Sequence, residues 1–210
     1  MRRSEKSNHI NKVLPDLIRQ LKSNLFISVS TNFIAALLTG WLLFESVSST
    51  ILKIWMLSHI VFAIFRVVTV NRLYSVRMEP IELIGANRWY TLAMSLIGLS
   101  WGAVCVFAML YSPAIEQVLM AMIVTGLTAG SVSTLTPIFS GFSAYFFGSL
   151  SITFIAMLFS PDERLNLLSP MILVYMAIVF SSGKKLYDSL ISALISTKEL
   201  IVVASLSEEN

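Results

Sequence analysis

Between residues 25 and 186 the sequence is a succession of six continuously apolar stretches, each close to 20 residues long, near 25–44, 51–70, 91–111, 114–135, 142–160 and 167–186. About 20 apolar residues in helical form cross the roughly 30 Å hydrocarbon core of a bilayer. A soluble core helix buries one stripe and leaves a polar face; these stretches have no such face. Strands of a membrane barrel alternate polar and apolar residues, and these do not. In hydrocarbon the backbone must satisfy its own hydrogen bonds, so the pattern predicts an all-α fold: a polytopic transmembrane bundle of six helices. Charged residues make up 13% of the chain, against about 25% in soluble domains. That shortfall is too large for an ordinary soluble core, and because the apolar runs nearly fill residues 25–186 one membrane domain is expected.

Orientation follows from where the basic residues fall. Arg2, Arg3, Lys6, Lys12, Arg19 and Lys22 precede the first span; Arg66, Arg72, Arg77 and Arg88 flank the second loop; Lys184, Lys185 and Lys198 follow the last span. Across the membrane stand Lys53 and Arg164. This asymmetry predicts that both termini are cytoplasmic, which requires an even number of spans. The chain then divides into a basic N-terminal segment (1–24), a six-helix domain (25–186) and a cytoplasmic linker helix (187–210), with the last span expected to extend into the cytoplasm as that helix. The first segment is polar and mixed in charge and does not resemble a cleavable signal peptide. The outer loops are short, so a stimulus must be read within or beside the bilayer. Ser160-Pro161-Asp162-Glu163 has the order of an N-cap, a first-turn proline and a capping-box acid, with Ser160 as the expected cap of either a short interfacial helix or an early start of the sixth span.

Small residues mark expected helix contacts. Ser95, Gly98, Gly102 and Cys105 form a stripe in the third span, and Gly126 and Gly130, followed by Ser133, form a second small-xxx-small pair in the fourth. Packing within the chain is the expected role, and contact between two copies the alternative. His59 and Arg66 are seven residues apart in the second span, about 20° apart around a helix. Ionisable groups at this depth are candidate functional residues. Two plainer roles stand beside that one: Arg66 snorkelling to lipid headgroups, and a neutral His59 hydrogen-bonded to a neighbouring helix. Trp101 lies deep, so its indole N–H requires a partner. Trp41, Trp55 and Trp89 sit near expected interfaces. Pro137 ends the fourth span, Gly141 is expected to permit a tight return, and the aromatic residues from Phe139 to Phe147 are read as an interfacial belt or as the wall of a cavity for a hydrophobic ligand. The ligand-binding candidates are His59, Arg66, Trp101, Ser133 and Tyr145.

Catalytic, cofactor and metal chemistry find little material. The chain has one cysteine and two histidines, too few for a zinc centre, and none of the phosphate-loop, metalloprotease or nucleophile-elbow motifs occurs. No cofactor is expected. The basic balance sits beside the apolar runs and orients the protein rather than binding nucleic acid. After Lys185, Leu186, Leu190, Ala193, Thr197, Leu200 and Ala204 recur at an approximate heptad spacing, a seam that would suit a homodimer.

Several of these features together resemble one family. Arg88-Trp89-Tyr90, Gly98-x-x-Trp101-Gly102, Gln117, Gly126-x-x-Ala129-Gly130, Ser133, Phe142, Tyr145 and the tail Leu206-x-x-Glu209-Asn210 are similar to the MASE-like integral membrane sensory domains that precede bacterial diguanylate cyclases and membrane histidine kinases. The likeness covers about residues 85–210. It implies an input domain in the bacterial inner membrane, with lipid around it and a cytoplasmic output domain as partner. It implies no catalysis by this chain, which carries no cyclase or kinase motif. A small transporter or permease is the alternative.

Overall fold

In a computed structural model the chain is all-helical: α1 (Arg2–Ser23), α2 (Leu25–Leu42), α3 (Ser49–Ser75), α4 (Pro80–Tyr111), α5 (Ala114–Leu135), α6 (Phe139–Leu158) and α7 (Glu163–Glu208). The structure describes the backbone of residues 2–75 and 80–208 and the side chains of 13–75, 85–201 and 203. Arg77, Glu209 and Asn210, and the side chain of Ala204 in the heptad seam, lie outside that range. Among the described residues six helices, α2 to α7, are long and apolar enough to cross a bilayer. The protein is a multi-pass helical membrane bundle.

The bundle is built around α4. The most apolar window of α4 is 61% buried, against 28% for α2 and 22% for α3. The outer helices turn Phe26, Trp41, Ile54 and Leu57 outward, the expected surface for contact with lipid tails. The most extensive packing is between α4 and α6, and glycine makes it close. A methyl placed on Gly98 would meet the Tyr145 carbonyl oxygen at 2.4 Å, and one on Gly102 would meet Ile152 Cβ at 2.6 Å. Gly148 of α6 returns the contact, its methyl position lying 3.3 Å from the Ser95 carbonyl oxygen. In hydrocarbon such backbone proximity is a main source of helix association. Gly126 and Gly130 differ: a methyl on either meets nothing within 4 Å. The second small-residue pair therefore does not pack against another described helix of the chain, because α5 turns that face outward.

The N-terminal segment is itself a helix. Val13, Leu17, Ile18 and Leu21 are buried at the spacing of one helical stripe, and α1 packs against α2, α3 and α7. Its polar face holds Asp16, which pairs with Lys198 Nζ of α7 at 2.8 Å. Lys22 Nζ sits 3.7 Å above the Tyr74 ring of α3, a cation–π contact. The N-terminal helix and the far part of α7 thus meet at one end of the bundle, an arrangement that an even number of crossings permits.

The remaining joints depart from the sequence reading in instructive ways. At the start of α7 the cap is Asp162, not Ser160: the Arg164 backbone N–H donates to Asp162 Oδ1 at 2.9 Å. Ser160 instead donates to Gln117 Oε1 at 3.2 Å, and Gln117 Nε2 donates to the Ser112 carbonyl at 2.6 Å. One amide thereby ties the α4–α5 and α6–α7 connections together. The sixth span starts at residue 163, the earlier of the two starts that this motif allowed. It runs through Pro170 without stopping; the Asn166 carbonyl that the proline cannot engage accepts a hydrogen bond from Ser169 Oγ at 2.8 Å, the local repair expected of a membrane helix. Gly141 is not a turn residue. It lies in the first turn of α6 and admits the Tyr90 ring, whose Cε1 stands 2.2 Å from where a methyl would be. Phe142, Tyr145 and Phe146 are buried rather than belted at the interface. Phe142, Phe146 and Phe147 gather with Phe139 around Phe180 of α7, at ring-centroid distances of 5.1 to 6.4 Å.

Candidate functional site

Polar side chains from three spans, α2, α3 and α4, converge inside the bundle. On α3, Trp55, His59 and Arg66 point inward, 7%, 7% and 1% exposed. Their spacing of four and seven residues places them on one face of a helix. Facing them, α4 contributes Ser100 and Trp101, and α2 contributes Ser28 and Asn32. Trp55 donates to the Ser100 carbonyl at 3.0 Å, Ser100 Oγ lies 3.2 Å from His59 Nδ1, and Trp101 Nε1 donates to Asn32 Oδ1 at 3.1 Å. Asn32 Nδ2 in turn donates to the Ser28 carbonyl at 3.0 Å. The His59 ring lies 4.5 Å from Trp55 and 5.0 Å from Trp101 between ring centroids, so two indoles enclose the imidazole.

Arg66 does not snorkel to the headgroups. Its guanidinium is held inside the bundle, where Nη2 donates to Ser28 Oγ at 2.8 Å. Arg66 Nε, Arg66 Nη1 and His59 Nε2 are buried and have no hydrogen-bond partner. The ion pairs found among the described residues all lie elsewhere, at Asp16 and at Lys184–Asp188. The electrostatic neighbours of Arg66 are the phenols of Tyr90 and Tyr145, and Tyr90 also keeps an unpartnered hydroxyl. Burying an unpaired cation costs several kcal/mol, and each orphaned polar group adds about 1–3 kcal/mol. Among the described residues, the buried unpaired cation is found here. Arg66, His59 and Asn32 line a cleft of about 20 Å³, with Val29, Phe33 and Ala63 at its edge.

Of the candidate residues, the structure brings His59, Arg66 and Trp101 together. Tyr145 stands behind them on α6, beside Gly98. Ser133 does not join: it is exposed near the end of α5 and its hydroxyl donates to the Gly130 carbonyl at 3.1 Å. Trp55, read from sequence as interfacial, is instead a wall of the site, whereas Trp41 and Trp89 are exposed as interface residues would be. Ser28, Asn32 and Ser100 are members that the sequence reading did not single out. Asn32 had a signal, being the sole carboxamide between Leu25 and Leu42. Ser28 and Ser100 are small hydroxyl residues among many, and only their partners distinguish them. Among the described residues no group of three or more histidine, cysteine or acidic side chains is placed to hold a metal ion.

Compared with protein-family models, with curated proteins and with solved structures, the chain matches none.

Proposed function

We propose that this protein is a membrane-embedded sensory module of the bacterial inner membrane, with both termini cytoplasmic, in which occupancy of the Arg66–His59 cleft is relayed through α7 to a cytoplasmic output such as a diguanylate cyclase or histidine kinase. The observation that carries this reading is α7 itself. It is one helix of 46 residues, about 69 Å long at 1.5 Å per residue, and roughly 30 Å of that suffices to cross the hydrocarbon. Inside the bundle Gly183 lets α7 press onto Phe142, with 2.6 Å from the Gly183 methyl position to Phe142 Cε1. Beyond the bundle α1 holds α7 through Asp16. A continuous path of contact joins cleft to output: Trp101 and Ser100 on α4, the Gly98–Tyr145 backbone contact with α6, the aromatic cluster on α6, and Phe180 and Gly183 on α7. A signal requires that the cleft bind its ligand differently in two packings of these helices.

The heptad residues Leu186 and Leu200 are exposed, while Leu190, Ile191, Leu194 and Ile195 are half-buried. In this reading the exposed seam receives the same helix of a second copy. The test is a phase scan. The chain is fused at its C-terminal end to a cyclase catalytic domain, and one to seven residues are inserted in α7 after Lys198. Each residue turns the helix by 100°, so cyclic dinucleotide output should rise and fall with helical period. Output independent of insert length defeats the proposal, and solute uptake by the chain reconstituted in liposomes would assign the protein to transport instead.

A further inference from the structure

The cleft beside Arg66 is suited to one class of ligand, and three observations define it. First, its charge is unmatched: a guanidinium 1% exposed, with two nitrogens lacking partners and no ion pair to any described carboxylate. Such a group calls for an anion, and Arg hydrogen-bonds to oxyanions with particular geometric fit. Second, the cleft is small inside and open at its edge. About 20 Å³ admits a single water-sized atom group, hence one oxygen of a larger ligand. The remainder must lie at the rim, where Phe33 is 45% exposed and Val29 and Ala63 are half-buried, between α2 and α3 on the lipid-facing side. Third, the depth is right for a headgroup. Arg66 is tied to Ser28, the fourth residue of α2, about 5 Å from the end of that helix.

We propose that this cleft binds a phosphate group, with one phosphate oxygen on Arg66 Nε and Nη1 and the rest of the ligand at the rim between α2 and α3. His59 Nε2 faces the same cleft without a partner, and in the tautomer in which Ser100 Oγ donates to Nδ1 it is a further donor to the same oxygen. The phosphate belongs to an anionic phospholipid or is free in solution; the chemistry at Arg66 is shared. That binding regulates an output rests on the sensory reading above, whereas the binding itself does not.

The experiment uses the intact purified chain. Retention of phosphatidylglycerol over phosphatidylcholine is measured by native mass spectrometry from mixed-lipid nanodiscs. Inorganic phosphate is titrated in a neutral detergent while tryptophan emission is followed, since Trp55 and Trp101 flank His59. Arg66→Gln removes the charge, and Ala63→Phe fills the rim while leaving every hydrogen-bonding group in place, so that one variant serves if the other fails to fold. Phosphatidylglycerol retained by the natural chain and weakened on the order of a hundredfold in the variants establishes a lipid phosphate. A saturating emission change with phosphate, lost in the variants, establishes the free anion. The proposal is overturned if the natural chain shows neither, or if binding survives both substitutions. Phosphate binding together with a flat phase scan would leave the site standing and remove the sensory reading.

Discussion

Replacing Gly98 by alanine tests the packing on which the site depends. The added methyl would sit 2.4 Å from the Tyr145 carbonyl oxygen and 3.0 Å from Tyr145 Cα, where carbon and oxygen in ordinary contact stand at about 3.3 Å or more. These are backbone atoms of a buried helix and cannot rotate aside, so α4 and α6 must separate locally by nearly 1 Å. Overpacking of this kind costs about 1–3 kcal/mol. Gly148, whose methyl position lies 3.2 Å from Leu99 N, would lose its close contact in the same movement. Gly126→Ala is the matched control: the same chemistry at a position where a methyl meets nothing within 4 Å, with an expected change below about 0.5 kcal/mol. For a chain of this size 1 kcal/mol moves a melting midpoint by about 2–4 °C. In detergent micelles, followed by circular dichroism, Gly98→Ala should therefore melt several degrees below the natural protein while Gly126→Ala stays within about 2 °C of it. Equal midpoints for the two variants would refute the assignment of the α4–α6 contact as the one held together by glycine.

Asn32→Ala would strand the Trp101 indole N–H and cost about 1–3 kcal/mol; a melting midpoint unchanged from the natural protein would contradict the Trp101–Asn32 bond as drawn. Asp16→Asn weakens the tie between α1 and α7 at partly exposed groups, so global stability should fall by less than about 1 kcal/mol. Faster amide hydrogen exchange confined to α1 is the expected signature, and exchange unaltered there would mean that apolar packing alone holds α1. For topology, cysteines introduced as Ser23→Cys and Ser196→Cys should react with an impermeant maleimide in inside-out vesicles, and Arg164→Cys in right-side-out cells, while the buried Cys105 stays silent. Labelling of residues 23 and 164 from the same side would overturn an even number of crossings.

Length and continuity of apolar runs determined the fold class before any contact was known, because hydrocarbon admits few ways to satisfy a backbone. The six spans fall within a few residues of the helices found, apart from extensions of α3 and α4 beyond the apolar core, and the helix read over 187–210 continues the last span as part of α7. The inward placement of His59 was legible too, since a polar ring within a span has strong reason to face protein rather than lipid. Much of the rest was not legible. In a sequence that is apolar on every face, periodicity cannot say which side of a helix meets its neighbour, so the two small-residue pairs read alike although Gly98 carries a helix contact and Gly126 faces outward. For the same reason Trp55, Phe142 and Phe146 read as interfacial, and proved to be core.

The six apolar runs thus determined by themselves that this chain crosses a membrane as helices, through transfer free energies that belong to each residue alone. Tertiary structure decided where Arg66, the one deeply buried cation among the described residues, goes. Whether an arginine near the end of a span reaches for headgroups or turns inward depends on what waits inside, and here Ser28 of α2 accepts a hydrogen bond from the guanidinium. It is this convergence of α2, α3 and α4, invisible in any one run, that leaves Arg66 and His59 with unused hydrogen-bonding atoms in a cleft at the edge of the bundle.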